Sequence, residues 1–325
     1  MIDAIDTSGF RRKARLVAIL ADETGWHTTQ LRRALARRGL EGRCVDLADC
    51  RIDTARACHG LVIPGFGGDL PAAAIVRGIA GGSFEQVTRR LGVLHALREC
   101  GVPVYNDARA IERSVDKSMT SLLLSQAGVP TPATWAVEST VDARRILMRE
   151  TTAGRSLVLK PLFGSQGKGV QRVGAVDGAF VPLPDLDAYG GVAYLQRFVP
   201  QADVPGFDLR VLVIGGRAVC AMKRVGADWI RNVARGARCV PTALTSELTA
   251  TAEAASAALE LDYAGVDLMY DGGTPNRALV VEVNGVAAWR GLQSVSTCDI
   301  AQCLVDDLID RRMASASLAV SGGAA

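Results

Sequence analysis

Short apolar runs alternate with helix-spaced polar stretches through the first third of the chain. Residues 16–20, Leu-Val-Ala-Ile-Leu, form an unbroken apolar run of the kind carried by a strand buried on both faces. An arginine-rich helix is expected at 26–38, short apolar strands at 43–47 and 60–64, a helix at 84–100 stopped by Gly101, and a further strand at 102–106. Strand and helix in alternation predict a parallel sheet covered on both faces. Residues 14–110 are therefore read as one small α/β domain.

Beyond that point the pattern changes. Helical spacing over 116–126 ends at Gly128, before Pro130 and Pro132 interrupt the chain. Residues 208–213 and 217–222 read as strands joined by the tight turn Gly215-Gly216. An alanine-rich helix is expected at 246–261, a strand pair at 266–270 and 278–283, and a closing helix at 299–311. These elements divide the remainder into a small central lobe at 111–200 and a C-terminal lobe at 201–313. Residues 1–13 are read as a polar tail and 314–325 as a loose, flexible one.

Composition narrows the function classes. At 325 residues the chain exceeds one compact domain, and an apolar content of 49% against 22% charged residues excludes disorder over most of it. The net charge of +3 comes from scattered arginines with no long basic tract beside aromatics, which argues against a nucleic-acid partner. Eight cysteines form no C-x-x-C pair, so reduced, structural thiols in a cytoplasmic protein are expected. No apolar run approaches the ~20 residues of a membrane span, and the start lacks a signal-like apolar stretch. No membrane partner is expected.

The most informative stretch is 157–170, Leu-Val-Leu-Lys-Pro-Leu-Phe-Gly-Ser-Gln-Gly-Lys-Gly-Val. An apolar strand ends in Lys160, and a loop with Gly164, Gly167 and Gly169 leads into a second apolar run. Glycines let several backbone N–H groups point at one anion while a lysine supplies charge beside it, so the stretch reads as a lid over nucleotide phosphates. The phosphate loop G-x-x-x-x-G-K-[ST] does not fit: Leu162 stands where its first glycine belongs and Gly169 where its hydroxyl belongs. A hairpin turn that binds nothing remains the alternative.

A second site lies in Gly265-Val266-Asp267-Leu268-Met269-Tyr270 and Leu279-Val280-Val281-Glu282-Val283-Asn284. Alternate residues of a strand share a face, so Glu282 and Asn284 point the same way, and Asp267 on the partner strand can reach the same spot. Two carboxylates and an amide oxygen suit magnesium, a hard cation that shares itself with phosphates. The competing reading is a solvated strand edge with unrelated carboxylates.

Taken together these stretches resemble the ATP-grasp superfamily, and within it the RimK-like carboxylate–amine ligases. The resemblance runs over about 104–311 and rests on Asp116-Lys117, residues 158–170, Gln196-Arg197-Phe198-Val199, Phe207-Asp208-Leu209-Arg210, Ala221-Met222-Lys223-Arg224, residues 232–236, residues 264–268 and Glu282-Val283-Asn284. It implies an α/β chain with the ATP-grasp fold behind a small parallel N-terminal, pre-ATP-grasp domain.

The same resemblance implies roles. Lys117 and Lys160 would bind ATP phosphates from two walls of a cleft, beneath a loop of Gly164, Ser165, Gln166, Gly167 and Gly169. Gln196, Arg197 and Phe198 fall at the hinge where backbone groups hold adenine, Asp208 meets the nucleotide, and Arg231 and Asn232 also contact it. Asp267, Glu282 and Asn284 match the ligands of magnesium or manganese, with two ions expected. Arg210, Arg224, Asn232 and Arg235 match polar positions that line the reacting phosphate and the acidic substrate, Arg210, Arg231 and Arg235 being suited to its carboxylates. ATP would convert an acid into an acyl phosphate, which an amine then attacks.

Two departures matter. Where the family often has Arg-Ser-Asn, this chain reads Ile230-Arg231-Asn232, and Pro-Gly after Asn284 is replaced by residues 285–293, ending Trp-Arg-Gly-Leu-Gln. That ending resembles the branch that adds glutamate to tetrahydromethanopterin-type cofactors. The expected partners are L-glutamate and a small acceptor acid, in a homo-oligomer. A protein terminus or another small acid as acceptor, and a non-catalytic ATP-binding module, are the alternatives.

Overall fold

The computed structural model describes residues 12–55, 59–164, 167–201, 205–233, 236–272 and 277–315. Ser165, Gln166 and Arg235, all expected at the site, lie outside the described residues, as do most of both expected tails.

The N-terminal part holds β1 (Arg12–Leu20), α1 (Trp26–Arg37), β2 (Glu41–Val45), β3 (Arg51–Ile52), β4 (Leu61–Val62), β5 (Leu70–Val76), α2 (Phe84–Glu99) and β6 (Val104–Tyr105). Four of these strands form a parallel sheet in the order β2-β1-β5-β6. Alternation along β1 divides the interior: Leu16, Ala18 and Leu20 pack with Val93, Leu94 and Leu97 of α2, while Val17 and Ile19 pack with Leu31 and Leu35 of α1. Helices thus cover both faces, as the pattern predicts.

Three expectations need correction. The strand expected at 60–64 is β4, which pairs only with β3 in a separate two-stranded sheet. The sheet position next to β1 belongs instead to β5, a segment not singled out from the sequence. The strand expected at 43–47 begins two residues earlier, at Glu41, because it is aligned by pairing Leu16 to Glu41. At the margins, β1 takes in residues 12 and 13 of the expected tail, and residues 314 and 315 continue the final helical segment.

Two helices, α3 (Ala108–Val115) and α4 (Lys117–Gln126), bridge to the next unit, so the boundary expected at 110/111 falls within a helix. Asp116 separates them and caps α4, its side chain accepting from the N–H of Ser118 at 2.8 Å and Met119 at 3.1 Å. The central lobe contains β7 (Thr134–Val137), α5 (Thr140–Thr152), β8 (Ser156–Lys160), β9 (Gln171–Val176), β10 (Ala179–Val181) and β11 (Ala193–Arg197). Its five strands form an antiparallel sheet in the order β10-β9-β8-β11-β7.

The C-terminal lobe contains β12 (Gly206–Ile214), β13 (Arg217–Gly226), β14 (Arg238–Thr242), α6 (Ser246–Ala258), β15 (Tyr263–Tyr270), β16 (Ala278–Asn284), α7 (Arg290–Gln293) and α8 (Ile300–Asp307), which runs on into a wider helical turn at Leu308–Met313. Its antiparallel sheet has the order β14-β13-β12-β15-β16. One face packs against α6, with Leu209, Val211 and Val213 set against Leu248, Ala252 and Ala255. Among the described residues no helix is long and apolar enough to cross a membrane, and the seven described cysteines are all free thiols.

Candidate active site

A cavity of about 530 Å³ opens where the central and C-terminal sheets face one another. Its wall includes Lys117, Lys160, Gly164, Gly167, Gln196, Arg197, Phe198, Asp208, Arg210, Arg224, Arg231, Asn232, Asp267, Glu282 and Asn284, so of the expected site residues with a described position all but Gly169 line one space.

Lys160 is the last residue of β8, and its Nζ donates to Gln196 Oε1 of β11 at 2.7 Å. Burial pushes its pKa down to about 8, with the nearby Lys117 adding to the fall and Glu282 and Asp267 opposing it. Lys117, first residue of α4, donates to the Gly164 carbonyl at 2.9 Å and is likewise lowered, chiefly by burial. Two half-buried ammonium groups thus line one wall, each hydrogen-bonded to a neutral oxygen rather than a carboxylate. Gly167 and Gly169 both have positive φ, and a Cβ at Gly169 would stand 2.8 Å from Pro161 Cγ. A Cβ at Gly167 would stand 2.7 Å from Ile230 Cγ2, which brings the loop against the 229–232 segment.

Across the cavity the strand register builds a charged ladder. Arg210 on β12 lies opposite Asp267 on β15 and opposite Met222 on β13, while Asp208 lies opposite Arg224. Arg210 forks onto Asp267, with Nε and Nη2 each 2.6 Å from a carboxylate oxygen. Arg224 joins the network through Nε to Asp208 at 2.6 Å and Nη2 to Asp267 at 3.1 Å. Burial works to raise the Asp267 carboxyl, but Arg210 and Arg224 together hold it below its usual range. Burial raises Asp208 to about 6 despite its bond to Arg224. Arg224, 6% exposed, is held charged by its two carboxylates.

Glu282 faces Asp267 across β15 and β16, and Asn284 faces Gly265. Val281 is an extra residue in that ladder, since Asp267 pairs with Glu282 and Leu268 with Val280. The bulge brings Val281 to the cavity beside Glu282 and Asn284. The Asn284 amide donates to the Gly265 carbonyl at 3.4 Å, which leaves its oxygen as the end available to a ligand.

At the hinge, the N–H groups of Arg197 and Phe198 are already engaged, with the carbonyls of Ala133 at 2.8 Å and Ser156 at 3.0 Å. The Arg197 side chain turns to Glu150, a carboxylate only 2% exposed that also receives Arg155. Phe198 packs edge-on against Trp229 and beneath Arg172. Trp229, Val281 and Arg290 line the cavity without having been marked as site residues from the sequence. Trp229 stands sixty residues after Gly169, so no local motif marks it, and only the fold brings it to Phe198 and the cavity.

A family model described as the RimK-like ATP-grasp domain matches residues 114–308, and one described as the RimK PreATP-grasp domain matches 16–111. The chain belongs to the RimK-like ATP-grasp family. It is 29% identical over 302 residues to the tetrahydromethanopterin:alpha-L-glutamate ligase of Methanococcus maripaludis, covering 90% of this chain and 98% of that protein. With a "Probable alpha-L-glutamate ligase" of Hydrogenovibrio crunogenus it shares 31% over 300 residues, covering 89% and 93%. In fold it is similar to the ATP-grasp ligase PsnB complexed with a phosphomimetic variant of its minimal precursor, Mg and ADP, with a TM-score of 0.68 at 21% identity over 90% of this chain and 97% of that one. The protein is thus an ATP-grasp ligase, a former of carbon–nitrogen bonds, from a family that uses ATP and magnesium.

The ligase's own residues fit the first of those groups fully and the second in part. Desolvated Lys160 and Lys117 beside a glycine loop are complementary to a polyphosphate. For the cation the fit is partial: among the described residues no three acidic, histidine or cysteine side chains converge. Asp267 already spends both oxygens on guanidinium groups, which leaves the Glu282 carboxylate and the Asn284 amide oxygen as the hard donors outside that network.

Proposed function

We propose that this ligase joins the amine of L-glutamate to a carboxylate of a small acceptor, a pterin-type cofactor of the tetrahydromethanopterin class. The observation that carries the reading is the convergence of Lys160 and Lys117 with Glu282 and Asn284 around one cavity. The choice of glutamate and of a pterin acceptor is supported by likeness to the Methanococcus enzyme over nearly the whole chain.

In this reading an acceptor carboxylate oxygen attacks the terminal phosphorus of ATP, ADP leaves, and an acyl phosphate forms. The glutamate amine attacks its carbonyl carbon, loses a proton and expels inorganic phosphate. Lys160 and Lys117 hold the phosphates, and their dry setting strengthens each contact. Glu282 and Asn284 would hold magnesium, with Asp267 joining them on release of a guanidinium partner; two ions are proposed, and the metal would supply positive charge beside the transferring phosphoryl group. Arg224 stands beside that group, Arg210, Arg231 and Arg235 receive substrate carboxylates, and Asn232 orients the reactants. The glycine loop, with Ser165 and Gln166, shields the acyl phosphate from water, while Gln196, Arg197, Phe198 and Asp208 hold the nucleoside end.

The test is incubation with ATP, magnesium and single amino acids against pterin, peptide and protein acceptors, followed by mass spectrometry. The expected product is a pterin acceptor heavier by one glutamyl unit, formed with one ADP. Mass gain on a peptide or protein alone would transfer the activity to that acceptor class, and ATP binding without product would make the chain a nucleotide-binding module.

A further inference from the structure

Two parts of the cavity wall differ in chemistry. At one, Lys117, Lys160, Lys168 and Arg231 gather around the glycine loop and the 229–232 segment. At the other, the turn after β16 and the start of α7 present Ala287, Ala288 and Arg290, with Met222 and Val233 opposite. The two walls meet closely there: a Cβ at Gly291 would lie 3.5 Å from Val233 Cγ2 and 3.7 Å from Met222 Cε.

Arg290 is the cation of this second part. Arg210 and Arg224 are neutralised by Asp267 and Asp208, and Arg197 by Glu150. Arg290 is exposed, and among the described residues no carboxylate pairs with it. Its base is fixed from the N-terminal domain. Trp289 is fully buried, its backbone N–H donates to His27 Nε2 at 3.2 Å, and its ring lies under the Arg77 guanidinium at 4.4 Å. Arg77 also donates to the Ala287 carbonyl at 2.8 Å. His27 accepts rather than donates there, and burial with Arg77 and Arg290 nearby pushes its pKa to about 4, so it stays neutral beside the arginine. A guanidinium whose neighbouring backbone is fixed, which lines the cavity beside Ala287 and Ala288 and has no carboxylate partner among the described residues, is suited to receive an anion.

We infer that Arg290 is a specificity-determining residue that binds a second carboxylate of the acceptor, so that the substrate class is a dicarboxylic acid whose other carboxylate is the one activated. The inference rests on the ligase reading above. In that reading Lys160 and Lys117 already serve the phosphates, so Arg290 is not needed for them, and the guanidinium fork matches carboxylate geometry. The acceptor then spans the cavity, with its reacting carboxylate toward Lys160 and Glu282 and its methylene chain along Ala287 and Ala288.

Two probes test this. N-acetyl-L-glutamate and N-acetyl-L-glutamine differ in the second carboxylate, and acetylation prevents either from serving as the incoming amine. Calorimetry on the full chain with ADP and magnesium should give wild-type binding about tenfold or more tighter for the glutamate probe. Arg290→Met should remove the difference and Arg290→Lys keep part of it, with ADP affinity as the check on folding. Equal or undetectable binding of the two probes by wild type, or a preference that survives in Arg290→Met, overturns the inference. ADP release on adding ATP and L-glutamate to the same probe is read separately: its absence beside a retained, Arg290-dependent preference counts against the ligase reading alone.

Discussion

Lys160 shows how a functional residue costs the free protein stability. Burial lowers its pKa from 10.5 to about 8. The folded state therefore releases the proton more readily than the unfolded chain, and the penalty of holding the ammonium in a dry wall is fully present below about pH 8. As pH rises from about 8 toward 10.5 the unfolded chain binds more protons than the folded one, so the penalty fades and stability climbs. Lys160→Met should stabilise the unliganded protein at pH 7 by roughly 2–3 kcal/mol and remove that climb relative to wild type. The same substitution should cut ADP formation at least ~100-fold, because the phosphate loses its buried cation. Urea melts across pH 7 to 10 check the first claim and steady-state kinetics the second; a destabilised Lys160→Met with normal turnover would remove Lys160 from the site.

Among elements, the loop between β8 and β9 is where local sequence speaks most directly. Gly169 has φ near 70°, its carbonyl accepts from Tyr189 Oη at 2.9 Å, and it stands close against Pro161. Gly169→Val should therefore strain the loop by about 1–3 kcal/mol, lower the melting temperature by a few degrees and raise KM for ATP by about tenfold. An unaltered KM would mean that the loop takes no part in nucleotide binding. This loop, Lys160 and the pair Glu282 and Asn284 were legible in sequence because each signal fits within a few consecutive residues. β5 was not legible: Leu-Pro-Ala-Ala-Ala-Ile-Val is rich in alanine and carries an early proline, and only pairing with β1 makes it a strand. Nor was the Arg210–Asp267–Arg224–Asp208 network, which depends on the mutual register of three strands, or the bulge at Val281, which depends on two.

At the scale of the molecule, the two family domains are not two independent folds. Leu31, Leu35 and Ile75 of the N-terminal sheet and helix share one apolar cluster with Tyr263, Trp289, Leu292, Ile300 and Leu304 of the C-terminal lobe. Asn106, fully buried just after β6, fastens the seam: its amide donates to the carbonyls of Tyr263 at 2.8 Å and Gly285 at 2.6 Å, and its oxygen accepts from the N–H groups of Asp262 and Tyr263. Gly285 follows Asn284 directly, so the same side chain steadies the strand end that carries Glu282 and Asn284. Removing it leaves two N–H groups and two carbonyls without partners in a dry interior, and such groups cost far more than an average hydrogen bond returns. Asn106→Ala should lower stability by about 2–4 kcal/mol and reduce turnover more than nucleotide affinity, because the strand end is loosened while Lys160 and the glycine loop are untouched. Denaturation followed by tryptophan fluorescence and by far-ultraviolet circular dichroism should give one coincident transition for wild type and variant alike, the variant's shifted to lower denaturant. Two separated transitions in wild type would mean that the shared cluster does not couple the N-terminal domain to the ligase core, and the fixed base assigned to Trp289 and Arg290 would go with it.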